Sequence, residues 1–113
     1  MEVERTTNGE VAVFRIIGRL DSSNSPAFEA SVLPSIRPGS NRVVLDFTAL
    51  DYVSSAGLRV VLLAAKQTRA TQGAFAIFGM SKSILHVFQM SGFARIIALF
   101  NTEAEAVASA SGG

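Results

Sequence analysis

Cysteine is absent from the 113 residues, and histidine occurs once, as His86. Without cysteine there is no disulfide scaffold, no thiolate nucleophile and no Cys-based zinc site. A single histidine excludes a histidine-cluster metal site as well, so neither a metal nor a cofactor is expected. An excess of charge of one sign is also missing: ten basic and nine acidic side chains leave a net charge of +1. Nucleic-acid-binding domains usually gather a basic excess on one face, so no direct nucleic-acid contact is expected. Long apolar runs are lacking too. The longest, 60–65, is about a third of the ~18 residues a membrane span needs. The opening Met1-Glu2-Val3-Glu4-Arg5 is charged and has no apolar stretch behind it of the kind a secretory leader requires. These absences point to a soluble protein of a reducing compartment, the cytoplasm.

What is present is a core. Hydrophobic residues make up 49% and charged residues 17% of the chain, which excludes a disordered segment. The length suits one domain, and no internal repeat or linker interrupts it. The domain is expected over 1–108, with 109–113, which is small and glycine-rich, as a flexible tail.

Strand-like and helix-like segments alternate along the chain. Asn8-Gly9 is a hairpin signal between a short edge strand at 2–6 and a β-branched strand at 11–17, with Gly18 and 21–25 breaking the pattern after it. Asp21, Ser22, Ser23, Asn24 and Ser25 are all N-cap residue types and Pro26 suits a first helical turn. Phe28, Val32 and Ile36 then set a helical period over 25–36, and Pro38-Gly39 stops it. Val43-Val44-Leu45-Asp46-Phe47 reads as a central strand buried on both faces. The segment 51–57 reads as a loop leading into a long helix over 55–71. On that helix Leu58, Leu62, Ala65 and Arg69 share a face, and Lys66 and Arg69 suit the negative end of the helix dipole. A strand at 75–78, a helix at 81–90 with Ser81 as its cap, and a strand at 96–100 follow. Thr102 with Glu105 forms a capping box that opens a terminal helix. The order β-β-α-β-α-β-α-β-α implies right-handed crossovers, hence a small, mixed, mostly parallel α/β sheet with about four helices.

Functional loops of such folds gather at the C-terminal edge of the parallel strands. Ser54-Ser55 falls there, between a buried strand and a long helix whose N-terminal N–H groups favour negative charge. A phosphate on Ser55 would add about −1.5 to −2 charges at one exposed point. Either serine could equally be only an N-cap, worth roughly 1 kcal/mol. Gly57 costs about 1 kcal/mol relative to Ala in a helix, which suggests close packing or close approach of a partner. Asp21, at the end of the second strand, could lie beside Ser55 or serve only its own turn. Catalysis has no foundation in these residues. A nucleophilic serine needs a positioned base, and His86 sits among Ile84, Leu85, Val87 and Phe88 as an ordinary helix residue. Asp46 and Asp51 read as turn or cap groups. Phe75 and Phe78 read as core, while Phe93 and Phe100 could belong to an exposed patch. The glycines show no phosphate-binding spacing.

Four segments together resemble the STAS family of anti-sigma factor antagonists: Ile17-Gly18-Arg19-Leu20-Asp21, Val43-Val44-Leu45-Asp46-Phe47, Asp51-Tyr52-Val53-Ser54-Ser55-Ala56-Gly57-Leu58-Arg59-Val60-Val61 and Met90-Ser91-Gly92-Phe93. The resemblance covers about 2–108 and implies a single STAS domain with no catalysis of its own. It also implies partner switching. The unphosphorylated protein sequesters a serine kinase that is itself an anti-sigma factor or related switch, phosphorylation releases it, and a PP2C-type phosphatase resets the system. The resemblance places the phosphoacceptor at Ser55 and the kinase-facing surface at Asp21, Ser54, Ser55, Gly57, Leu58 and Arg59. Many members carry Asp immediately before the acceptor, where this chain has Ser54. A monomer is the expected state. The same resemblance admits a second role, as the small cytoplasmic subunit of an ABC-type lipid transport system.

Overall fold

The computed structural model describes residues 1–112. Its elements run β1 (Glu2–Asn8), β2 (Val11–Leu20), α1 (Ser25–Val32), β3 (Arg42–Asp46), β4 (Leu50–Val53), α2 (Ser55–Ala70), β5 (Ala74–Phe78), α3 (Lys82–Ser91), β6 (Ala98–Phe100) and α4 (Glu103–Ala110), with short 3-10 turns at Leu33–Ser35 and Phe93–Arg95. The sheet order is β1-β2-β3-β5-β6. Within this sheet the β1–β2 hairpin is antiparallel, and β2–β3, β3–β5 and β5–β6 are parallel. The mixed, mostly parallel α/β fold with four helices is therefore the one expected.

Beyond shifts of one or two residues at strand ends, four elements differ from the expectation. β2 does not stop at Gly18 but continues to Leu20, because glycine accepts the positive φ of 96° that the chain needs there. The continued stretch has a partner in β4, a strand within the segment read as a loop, which pairs in parallel with Gly18, Arg19 and Leu20 and no other strand. Helix α1 ends at Val32 rather than 36, since Pro34 has no N–H to continue the ladder, and a 3-10 turn takes over. The expected boundary at 108 falls inside α4, which runs on to Ala110; Ala110 is buried, and its carbonyl accepts a 2.8 Å hydrogen bond from Arg42 Nη1. Gly113 lies outside the described residues.

The core has two layers. On one face of the sheet, Phe14, Ile16, Leu20, Val43, Leu45 and Ile77 meet Phe28 and Val32 of α1, Val60, Val61 and Ala64 of α2, and Ile84 and Phe88 of α3. On the other face α4 alone covers Val11, Val13, Val44, Ala76 and Phe78 with Ala106, Val107 and Ala110. Phe93 is half-buried and stands edge-on to Phe88, 6.0 Å between ring centres. It and Phe100 are packed against the two core layers rather than forming an exposed patch.

Candidate functional site

Two loops meet where β2 and β4 end. Leu20 pairs with Val53, and the Ser54 N–H donates to the Leu20 carbonyl at 2.8 Å. The Asp21 loop and the start of α2 are thus neighbours at one sheet edge, as parallel strands require of their C-terminal ends.

The two serines have different positions. Ser54 is the N-cap: its Oγ accepts from the Gly57 N–H at 3.2 Å. Ser55 is the first helical residue and its side chain is exposed. The cap takes one orphan donor of the first turn, and the first intrahelical bond runs from the Leu58 N–H to the Ser54 carbonyl. The N–H groups of Ser55 and Ala56 therefore have no intrahelical acceptor at the start of this 16-residue helix. Replacing Ser54 by Ala removes the cap alone; the expected result is a loss of about 1 kcal/mol of unfolding free energy, measured in urea, with the Ser55 hydroxyl still accessible.

Gly57 is buried, and the reason is steric. A Cβ at this position would lie 2.7 Å from Leu20 Cγ and 3.1 Å from Val53 Cγ2. Glycine lets the first turn of α2 close onto the ends of β2 and β4, which sets the height of Ser55 above them. Leu58 is half-buried against the core. Arg59 is 69% exposed, and its guanidinium stands 4.0 Å from Glu29 Oε1 of α1, an exposed pair of little energetic weight.

Asp21 is organised by its own loop. Its Oδ1 accepts from Ser23 Oγ at 2.6 Å and from the Ser23 N–H at 3.0 Å. The Ser23 hydroxyl, with help from backbone N–H groups and the charge of Arg19, holds the carboxyl below the ordinary carboxylate range. Asn24 does not cap α1 with its side chain. It instead fastens the loop, accepting from the Asp21 N–H and donating to the Arg19 carbonyl, both at 2.9 Å. Because the folded-state value is depressed, Asp21 contributes stability that is present above its unfolded value and fades as pH falls through the folded one. An NMR pH titration is expected to place the Asp21 midpoint below that of an unfolded-chain aspartate, and Ser23→Ala to move it back up. An unshifted midpoint in both proteins would refute the loop's role.

Two further residues were not singled out by the sequence. Tyr52 is 41% exposed, and the Arg19 guanidinium stacks 4.3 Å from its ring centre, a favourable cation–π distance. Their positions opposite each other on β2 and β4 follow from a strand pairing that the sequence pattern did not reveal. The remaining candidates lie apart from this edge. His86 is exposed on α3, which belongs to the β5–β6 crossover. Asp46 is buried and accepts from the Thr48 N–H and hydroxyl, so it is a turn group. Asp51 is exposed on β4. Among the described residues no cluster of three His, Asp or Glu could hold a metal ion, and no helix is long and apolar enough to cross a membrane.

Comparison with known proteins agrees with this architecture. The family model of the STAS domain matches residues 2–106. BtrV of Bordetella bronchiseptica, which carries the name of an anti-sigma factor antagonist, is 43% identical over 91 residues, covering 80% of this chain and 78% of that one. A Thermotoga maritima structure named for the same role superposes with a TM-score of 0.90 at 19% identity, covering 96% and 94% of the two chains. The Bacillus cell-fate determinant SpoIIAA in its phosphorylated form superposes with a TM-score of 0.75 at 25% identity, covering 95% and 97%. These names are those of regulators rather than enzymes.

Proposed function

The chain belongs to the STAS domain family, and on that premise we propose that it is an anti-sigma factor antagonist that acts by partner switching through Ser55. In this reading the unphosphorylated protein binds and sequesters an anti-sigma or switch serine kinase. The kinase phosphorylates Ser55 and is released, and a PP2C-type phosphatase removes the phosphate. The observation that carries the proposal is the division of labour between adjacent serines. Ser54 commits its hydroxyl to the cap, whereas Ser55 is exposed beside the unspent N–H groups of the helix start.

The geometry supports a phosphate without rearrangement of the domain. The helix dipole and the free N–H groups of the first turn stabilise an anion on Ser55. The domain therefore tolerates the modification, and its energetic consequence falls on whatever is docked there. Asp21 already places one negative charge on the neighbouring loop, and Leu58 and Arg59 offer an apolar and a basic contact on the same helix start. Gly57 shapes the surface from beneath.

The test is capture of partners from the native lysate with wild-type protein and with Ser55→Asp, identified by mass spectrometry. Support would be a serine kinase of the switch type held by wild type and lost with Ser55→Asp. Capture of a permease and ATPase equally by both proteins would replace this reading with that of a lipid-transport subunit.

A further inference from the structure

Helix α2 carries a second surface at its other end. Its sequence from Ser55 to Ala70 contains Arg59, Lys66 and Arg69 and not one acidic residue. Along its second half, a cleft opens between the helix and the segment that follows α3. Leu62, Ala65 and Ile96 form its apolar floor, with Lys66 and Arg69 at its rim. A larger and more polar continuation passes Ile96 and Arg69, with Thr68 and Gln72, toward Phe75 and the Gly73 turn. Ile96 is 46% exposed, one of few large apolar side chains left open to water. No Asp or Glu lines either part. The one ion pair found among the described residues joins Arg59 to Glu29, so Lys66 and Arg69 have no carboxylate partner.

At 1.5 Å per residue, Lys66 and Arg69 lie roughly 16 and 21 Å along the helix from Ser55. The cleft is therefore separate from the phosphorylatable edge. An apolar groove rimmed by cations on a helix without carboxylates is complementary to one kind of occupant, a short segment with an apolar side chain flanked by acidic ones. We propose that this cleft docks an acidic amphipathic segment of a partner protein. An apolar anchor sits between Leu62, Ala65 and Ile96, and its flanking carboxylates pair with Lys66 and Arg69. Binding here does not require Ser55 to be unmodified, so the two surfaces can be occupied together.

The experiment is an NMR titration of isotopically labelled full-length protein with a synthetic peptide bearing a central leucine pair flanked by glutamates. The expected result is a set of amide shifts confined to 62–75 and 95–97. The doubly charge-reversed variant Lys66→Glu/Arg69→Glu, both positions being exposed, is expected to bind at least about tenfold more weakly. Ile96→Ser should weaken binding with its charges intact, and Ser55→Asp should leave it unchanged, which separates this proposal from that for the other surface. Equal binding of a peptide with glutamines for glutamates, or no localised shifts, would overturn it. So would tighter binding to anionic phospholipid vesicles than to the peptide, or a concentration-dependent dimer abolished by Ile96→Ser.

Discussion

Ser55→Asp is expected to bind its partner kinase at least about a hundredfold more weakly than wild type, and Ser55→Ala to bind as wild type does. The size follows from where the charge is placed. A new charge at the centre of an interface, desolvated or set against like charge, costs several kcal/mol, and each 1.4 kcal/mol is a factor of ten in affinity. The neighbouring loop makes the site more sensitive. Asp21 is ionised at neutral pH as any ordinary aspartate is, so a partner that accommodates it already faces one negative charge. The phosphorylated protein, with a second charge and more acceptor oxygens, should fall below even Ser55→Asp. Titration calorimetry with the captured kinase measures this, with Ser54→Ala as a control that loses the cap but keeps the acceptor. Indistinguishable affinities for wild type and Ser55→Asp would remove Ser55 from the mechanism.

The largest effect on stability is expected at Phe47. This side chain is fully buried at the end of β3 and stands edge-on to Phe88 of α3, 6.3 Å between ring centres. Its N–H donates to the Phe78 carbonyl, and its own carbonyl accepts from the Leu50 N–H, so it anchors the turn that launches β4. Phe47→Ala leaves a cavity as well as losing buried surface, which together cost about 3–5 kcal/mol. Domains of this size are stable by roughly 5–15 kcal/mol. The backbone bonds to Phe78 and Leu50 survive the substitution, so the loss is one of packing, and the thermal midpoint is expected to drop by more than about 10 °C. A midpoint within about 2 °C of wild type would mean that the site closes over the gap.

Much of this molecule was legible before any coordinates. The hairpin at Asn8-Gly9, the two-faced burial of β3, the Ser81 cap and the Thr102–Glu105 capping box all rest on local chemistry, and all are present. The meeting of Asp21 with the start of α2 was legible from topology alone, since parallel strands bring their C-terminal ends to one edge. β4 was hidden for a physical reason. It has four residues, with buried Leu50 and Val53 on either side of exposed Asp51 and Tyr52, an i, i+3 spacing that lacks a strand's alternation. It pairs only with the last residues of β2, beyond a glycine that local rules read as a terminator. With β4 hidden, the Arg19–Tyr52 stack was hidden too. The separate positions of Ser54 and Ser55 could not be read either, because both are good caps and only the backbone decides which one occupies the turn.

The lone helix on the second face of the sheet bears on the order in which the protein is made. A ribosome delivers β1 to β6 before it delivers Glu103–Ala110. Until that segment emerges, the strip of Val11, Val13, Val44, Ala76 and Phe78 that it covers faces water. Without α4 the sheet has three helices to cover one side and none for the other. The helix that seals it is fastened through Arg42 to the carbonyl of Ala110. Burial of the second core layer therefore waits for residues 103–110, however early the first layer forms.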